Sequence, residues 1–138
     1  MENKKMKRII ILIFASCLAL CCNKPFRTSI DLGVNDTRIN IPWSNAQSSF
    51  DFTFPVYSSG SWTAEIVAGG DWLSISGAAG SGNGYISCTS HPNLTGVPRA
   101  VIMEVKGGNK VIPVYIVISS KDLAASELED ADLDNYLI

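Results

Sequence analysis

The stretch SFDFTFPVY, residues 49–57, decides the fold class because its side chains alternate between apolar and polar at successive positions. This period of two is typical of a β-strand that has one face in a hydrophobic core and the other in water. Pro55 has no backbone N–H to donate, which favours a position at a strand end or at the edge of a sheet. The apolar side of the strand carries Phe50, Phe52, Phe54 and Val56, and the polar side carries Asp51, Thr53 and Tyr57.

Short segments of the same kind precede and follow this stretch, and turns rich in glycine or proline separate them. No helical pattern interrupts them. About seven short strands at nearly regular spacing predict an all-β fold, an immunoglobulin-like antiparallel β-sandwich, which we place at residues 37–120. The last segment, VIPVYIVIS at residues 111–119, is apolar on both faces, which indicates a strand that is covered on both sides. The other predicted strands span residues 37–41, 61–67, 71–76, 85–90 and 100–105.

The N-terminus, MENKKMKRIIILIFASC at residues 1–17, has the pattern of a signal peptide, with a basic region, an apolar run and then small residues. The small residues before Cys17 resemble the bacterial lipobox, in which the cysteine is lipidated and begins the mature chain; Cys21 and Cys22 are alternatives. Residues 1–22 are therefore predicted to be a lipoprotein signal peptide with its lipidation site. The product would be a membrane-anchored lipoprotein of the cell envelope. A short anchor helix that is never cleaved is the alternative.

No histidine stands near these cysteines, so a metal site is not indicated, and we expect no cofactor.

Charge is distributed unevenly along the chain. Acidic and basic residues balance between residues 23 and 120, and no basic patch is present, which argues against nucleic-acid binding. Residues 23–36 are predicted to be a polar tether that leads into the domain. Residues 121–138 carry six carboxylates against one lysine, and we predict a solvated acidic tail. A short acidic helix and a peptide that docks on a protein partner are the alternatives.

The order of motifs between residues 57 and 116 resembles the BACON domain of the Bacteroidetes. The matching elements are Trp62 after serine and glycine, Trp72-Leu73 before a short strand, a glycine-rich loop at residues 80–84, the motif Asn93-x-Thr95-Gly96-x-x-Arg99, and a final pair of hairpin strands. The last strand departs from the family, which has a glutamine and a small residue where this chain has Ile116-Val117-Ile118. The resemblance implies an immunoglobulin-like sandwich on a cell-surface lipoprotein in a carbohydrate-linked setting, since such domains are often fused to glycoside hydrolases. It is compatible with carbohydrate binding and also with a spacer or adhesion role.

Two tryptophans in this region are predicted to belong to the core rather than to a binding site. Trp62 shares a strand face with Ala64 and Ile66, so its side chain would point inward. Trp72 follows a glycine pair at the start of a short strand, where it would cap one end of the core.

Other aromatic and polar residues, in loops and on polar strand faces, are better candidates for ligand contact. The apolar face of a sugar ring stacks on an aromatic side chain, and sugar hydroxyl groups pair with planar polar groups. A shallow groove lined by such residues would bind a glycan, although ordinary surface aromatics and turn residues give the same pattern. The candidates are Trp43, Tyr57, Tyr85, His91, Asn93 and Arg99.

Catalytic groups have no comparable arrangement in the sequence. His91 is the one histidine of the chain, and Cys88 falls on an inward-facing strand position. A glycosidase needs two carboxylates that face each other across a cleft, whereas the carboxylates of the predicted strands are scattered. We therefore expect a non-catalytic module that binds a carbohydrate or mediates adhesion. The alternative is a structural spacer, or a subunit of a cell-surface complex, without sugar binding.

Overall fold

The structure is a computed structural model that describes residues 30–138, which form two β-sheets and several short helical turns. The predicted signal peptide and the lipidation candidates Cys17, Cys21 and Cys22 lie outside the described residues. A one-turn helix, α1 (Trp43–Ala46), follows the second strand, and α2 (Asp130–Leu133) lies between the 3-10 turns Ala125–Glu127 and Asp134–Tyr136. The strands are β1 Leu32–Val34, β2 Arg38–Ile41, β3 Phe50–Ser58, β4 Ser61–Gly69, β5 Leu73–Ser76, β6 Ala79–Ser81, β7 Gly84–Ser90, β8 Arg99–Gly107 and β9 Lys110–Ile118.

The two sheets pack face to face as a sandwich. One sheet has four strands in the order β1-β3-β7-β5, and the other has five in the order β2-β9-β8-β4-β6. Neighbouring strands are antiparallel except for β2 and β9, which run parallel. Both sheets contribute to one hydrophobic core, so the predicted all-β, immunoglobulin-like sandwich is confirmed. Two strands beyond the predicted seven, β1 and β6, have only three residues each.

Strand β3 shows how the alternating pattern produces this arrangement. It pairs with β7 in antiparallel register, from Phe50 opposite Ser90 to Val56 opposite Gly84. Phe54 and Val56 are buried between the sheets, whereas Asp51, Thr53 and Tyr57 on the other face of the strand are exposed. Each such apolar side chain contributes about 1.5–3 kcal/mol when it is fully buried. A one-residue slip of the register would expose this whole set, so the pattern fixes the pairing.

Trp62 is a core residue, as the sequence predicts. Its side chain is 3% exposed, and its Nε1–H donates to the backbone oxygen of Gly82 at 2.8 Å. Gly80 and Gly84 lie against the indole ring so closely that a Cβ atom at either position would be 2.6–2.7 Å from its Cζ2 atom. The glycine-rich loop therefore fits around the edge of this one aromatic side chain.

The N-terminal boundary of the domain differs from the predicted one at residue 36. Strand β1 lies within the segment that was expected to be a polar tether, and it pairs with the end of β3, where Leu32 is opposite Ser58. Leu32 is 4% exposed and belongs to the core. A three-residue strand with glycine at its centre is too short to show a period of two, which is why its pattern resembles a linker.

The C-terminal boundary at residue 120 also differs, because residues 121–138 pack on the outer face of the five-stranded sheet. Three side chains of this segment, Ala125, Leu128 and Leu133, form a second buried cluster with Ala100 on β8 and Val117 on β9. The segment is therefore a cover for the sheet and not a solvated tail. It explains why the last strand is apolar on both faces. Among the described residues, no helix has the length and apolar character needed to cross a membrane.

Candidate functional site

A cavity of about 500 Å³ opens at the end of the five-stranded sheet where β2 and β9 finish. Trp43 forms one wall, and the opposite wall comes from the chain that follows β9. The aromatic and polar side chains that line it include Asn40, Trp43, Lys121, Asp122 and Glu127. An aromatic surface surrounded by a few polar groups is a common design for a small-molecule site.

The short helix α1 positions Trp43 at this cavity. Pro42 precedes the helix, and its backbone oxygen accepts hydrogen bonds from the N–H groups of Asn45 and Ala46, both at 3.0 Å. Ala46 is fully buried, which ties the turn to the core. Trp43 is half-buried: it packs against the core cluster and also lines the cavity. The indole is thus held by the core while part of it stays available to a ligand.

The opposite wall is a hydrogen-bonded turn and not a loose loop. The backbone N–H of Ser120 donates to the oxygen of Leu123 at 3.0 Å, and the N–H of Leu123 donates to Oγ of Ser120 at 3.1 Å. The N–H of Ala124 donates to Oε2 of Glu127 at 3.1 Å. These bonds hold the backbone, while the exposed side chains of Lys121 and Asp122 are left to supply a donor and an acceptor to the cavity.

The structure places Tyr57 and Tyr85 together, far from the Trp43 cavity. Both lie on the outer face of the four-stranded sheet, where they are 45% and 69% exposed. Tyr85 is opposite Pro55 in the register, so Tyr57, two residues further along β3, is its diagonal neighbour. This face is otherwise lined by small polar residues, including Thr53 and Ser87. It is separate from the concave site at Trp43, and Tyr57 itself lines a cavity of about 330 Å³.

His91 and Arg99 meet at a third place, a cavity of about 450 Å³ that they share with Asp71 and Trp72. The backbone N–H of His91 donates to the oxygen of Trp72 at 2.6 Å, which keeps the two residues adjacent. Trp72 is 3% exposed, in agreement with the predicted role as a cap on the core. Its Nε1–H is buried and has no acceptor among the described residues.

Asn93 is a structural residue in this fold and not a surface contact. It is fully buried, and its backbone N–H donates to the oxygen of Ala46 at 2.7 Å. Its side-chain amide donates to the oxygens of Val97 and Ser119 at 2.9 and 3.1 Å, and its Oδ1 accepts from the hydroxyl of Thr95 at 2.6 Å. Asn93 therefore holds the loop before β8 against helix α1 and the end of β9.

The six predicted residues do not line one shallow groove. Trp43 lines the cavity where β2 and β9 finish, and His91 and Arg99 line another. Tyr57 and Tyr85 lie on the outer face of the four-stranded sheet, and Asn93 is buried. The cavity residues Asn40, Lys121 and Asp122 were not predicted, because the second wall exists only once the C-terminal segment covers the sheet. The apolar outer face of residues 111–119 was the signal that something covers this strand.

No protein-family model matches the chain, and no curated protein matches it either. Among solved structures, the chain is similar to a Bacteroides ovatus GH5 xyloglucanase in complex with an XXXG heptasaccharide, at a TM-score of 0.55 and 17% sequence identity. The match covers 67% of this chain and 19% of that chain, so the protein spans about a fifth of that enzyme's length. The ASH/PapD-like domain of human CEP192 (PapD-like domain 7) is similar at a TM-score of 0.45 and 13% identity, over 71% of this chain and 89% of that chain. At 17% identity the first likeness concerns the fold alone, and it agrees with a β-sandwich.

Proposed function

We propose that the protein is a non-catalytic module that binds a glycan in the Trp43 cavity, and that a lipid anchor holds it at the cell envelope. The observation that carries this proposal is the cavity itself, because an indole held by the core lines a space of about 500 Å³ together with polar side chains. The resemblance to the BACON domain and the fold shared with part of a xyloglucanase support a carbohydrate-linked setting.

The chemistry of the cavity suits a polyhydroxylated ligand. A sugar ring would place its apolar face on the Trp43 indole, where water is displaced from both surfaces. Its hydroxyl groups would then accept a hydrogen bond from the Lys121 ammonium and donate one to the Asp122 carboxylate. Asn40 accepts a bond from Nε of Arg38 at 3.2 Å through its Oδ1, so its NH₂ group is the part that a ligand would use.

The test is a calorimetric titration of the full chain, kept in a detergent without a sugar headgroup, against a panel of mucin, plant and microbial glycans. We expect at least one neutral glycan to bind saturably. Trp43→Ala should weaken that binding by about 1–2 kcal/mol, or roughly 5- to 30-fold in Kd, because the stacking surface is lost. Release of reducing ends during the titration would instead indicate hydrolysis and contradict a non-catalytic role.

Two further variants separate the site from general effects on folding. Asp122→Ala removes an exposed polar group of the cavity without touching the core, so it should weaken binding while the melting temperature stays unchanged. Tyr85→Ala removes an exposed aromatic at a distant face and should leave binding intact. A flat response across the panel, or loss of binding in Tyr85→Ala alone, would contradict the assignment to Trp43.

A structural role as a spacer or subunit is the second candidate, and one observation favours it. The C-terminal segment buries its apolar side chains on the sheet and leaves its carboxylates exposed, so it presents an acidic surface to a protein partner. Deleting residues 121–138 would not test this role, because the deletion also uncovers Ala100 and Val117. Neutralising Glu129, Asp132 and Asp134 as the corresponding amides keeps the cover. Loss of a co-purifying partner on neutralisation, with no glycan bound by either form, would favour the structural role.

A further inference from the structure

The cavity of about 450 Å³ that is lined by His91 and Arg99 contains hydrogen-bond donors that have no acceptor within the described part of the fold. Arg99 is the first residue of β8, opposite Ile118 in the register, and its side chain is half-buried at this cavity. Among the ion pairs and side-chain hydrogen bonds within residues 30–138, none involves its guanidinium. His91, exposed beside it, provides a second hydrogen-bond donor.

Trp72 also has an indole N–H without an acceptor between residues 30 and 138, but this atom is buried and is not accessible from the cavity. Buried polar groups in folded proteins are almost always hydrogen-bonded, so a buried indole N–H without an acceptor is an unusual feature that requires an explanation. Trp72 lines the same cavity as Arg99 and His91, and the bond from the His91 N–H to the Trp72 oxygen fixes their relative position. A ligand that offers acceptor oxygens at this place would pair with the two accessible side-chain donors, Arg99 and His91.

We propose that this cavity binds the carboxylate of an acidic sugar, such as a uronic acid residue. Arg99 matches a carboxylate with two parallel N–H donors, which makes a charge-assisted and directional contact. The volume of about 450 Å³ has room for one sugar ring beside the carboxylate. This inference rests on the proposed glycan-binding role and adds a charged component to it.

Asp71 and Ile138 also line the cavity; the main-chain oxygen of Ile138 lies beside Gly70, and the Asp71 carboxylate opposes an anionic ligand. Replacing Asp71 with an uncharged residue should therefore raise the affinity of the cavity for an acidic sugar. Asp71→Asn removes the repulsion while keeping the size of the side chain, so it should tighten binding of an acidic sugar. It should not change binding of a neutral sugar.

The experiment is a calorimetric titration of the full chain in the same detergent with glucuronate and galacturonate oligosaccharides and with their neutral counterparts. Arg99→Gln should weaken binding of the acidic sugars by about tenfold or more, because charge-assisted hydrogen bonds are lost. Lys110→Gln removes a cation at the opposite end of the sandwich and serves as the matched control. The proposal would be overturned if Arg99→Gln and the unaltered chain bound the acidic sugars with equal affinity. It would also be overturned if inorganic sulfate bound to the protein and the acidic sugars did not.

The same samples distinguish failure of this inference from failure of the proposed function. Neutral glycans report on the Trp43 cavity, and Trp43→Ala should weaken their binding roughly 5- to 30-fold while the binding of glucuronate monosaccharide through Arg99 stays unchanged. If neutral glycans bind and the acidic ones gain nothing from Arg99, only this inference is wrong. If neither class binds, both are wrong.

Discussion

Nη1 of Arg38 on strand β2 donates to Oδ1 of Asp130 at 2.8 Å, although the two residues are 92 positions apart in the chain. Nη2 of the same guanidinium donates to the backbone oxygens of Ala125 at 3.0 Å and Leu128 at 2.7 Å. One side chain of the sandwich thus holds three points of the C-terminal segment. That segment also forms a wall of the Trp43 cavity. The hydrogen bonds from Arg38 therefore stabilise both the packing of the segment on the sheet and the shape of the candidate site.

Replacing Arg38 should loosen the C-terminal segment. Arg38→Ala leaves two backbone oxygens without their charged donor, so we expect the free energy of unfolding to fall by about 1–3 kcal/mol. Asp130→Asn should cost at most about 1 kcal/mol, because the Asp130 side chain is 81% exposed and a surface ion pair contributes little. Urea denaturation of both variants measures the difference. Equal losses in the two would show that the backbone bonds do not hold the segment.

The buried leucine of helix α2 should contribute more to the free energy of unfolding than the charged residues beside it. Leu133 is fully buried in the cluster that covers the sheet, so Leu133→Ala should lower the free energy of unfolding by about 2–5 kcal/mol. Asp134→Ala, an exposed change at the next position, should stay within about 0.5 kcal/mol of the unaltered chain. Thermal unfolding and limited proteolysis check both variants. A Leu133→Ala protein as stable as the unaltered chain would mean that the segment does not pack as described.

The contact between Trp62 and the glycine-rich loop can be tested with one methyl group. A Cβ at Gly80 would be 2.6 Å from the Trp62 ring, so Gly80→Ala should destabilise the protein by about 1–3 kcal/mol through overpacking. Gly33→Ala is the matched control, because a Cβ there meets nothing within 4 Å. Melting temperatures of the two variants give the comparison. A neutral Gly80→Ala would indicate that the loop can move away from the indole.

The Cys88 thiol should be unreactive in the native protein, and its burial should make the free energy of unfolding depend on pH. Burial raises the pKa of the Cys88 thiol from 9.0 to about 11, so the native fold favours the neutral form. The resulting stabilisation is complete below pH 9 and is lost as the pH rises from 9 to 11. The free energy of unfolding should therefore fall more steeply over this window in the unaltered chain than in Cys88→Ala. Identical slopes would contradict the effect of burial.

Alkylation gives an independent measurement of the same thiol. Iodoacetamide reacts with the thiolate, so at pH 8 the peptide that contains Cys88 should be labelled slowly in the native protein and rapidly in urea. Mass spectrometry of that peptide separates Cys88 from the other three cysteines of the chain. Fast labelling in the native state would show that the strand pair around Cys88 opens readily.

Patterns within a single strand were predictable from the sequence, and contacts between distant segments were not. The alternation of residues 49–57 predicts a strand with one buried face, and the apolar residues on both faces of 111–119 predict a strand covered on both sides. The apolar residues that share a strand face with Trp62 predict that its side chain is in the core. Strand β1 has too few residues for a pattern. The leucines of residues 121–138 are spaced unevenly, because short 3-10 and α turns present them to the sheet in place of one regular helix. The second wall of the Trp43 cavity depends on that packing and so was not visible either.

The most direct test of the glycan-binding proposal is the indole region of a two-dimensional ¹H–¹⁵N NMR spectrum during titration with a neutral glycan. The chain has three tryptophans and should give three indole N–H resonances, which single Trp→Phe changes assign. We expect the Trp43 resonance to shift saturably, while the Trp62 resonance, held by its bond to Gly82, stays in place. A Trp43 resonance that does not move with any glycan of the panel, or a glycan that binds and shifts only other resonances, would contradict the assignment of this cavity.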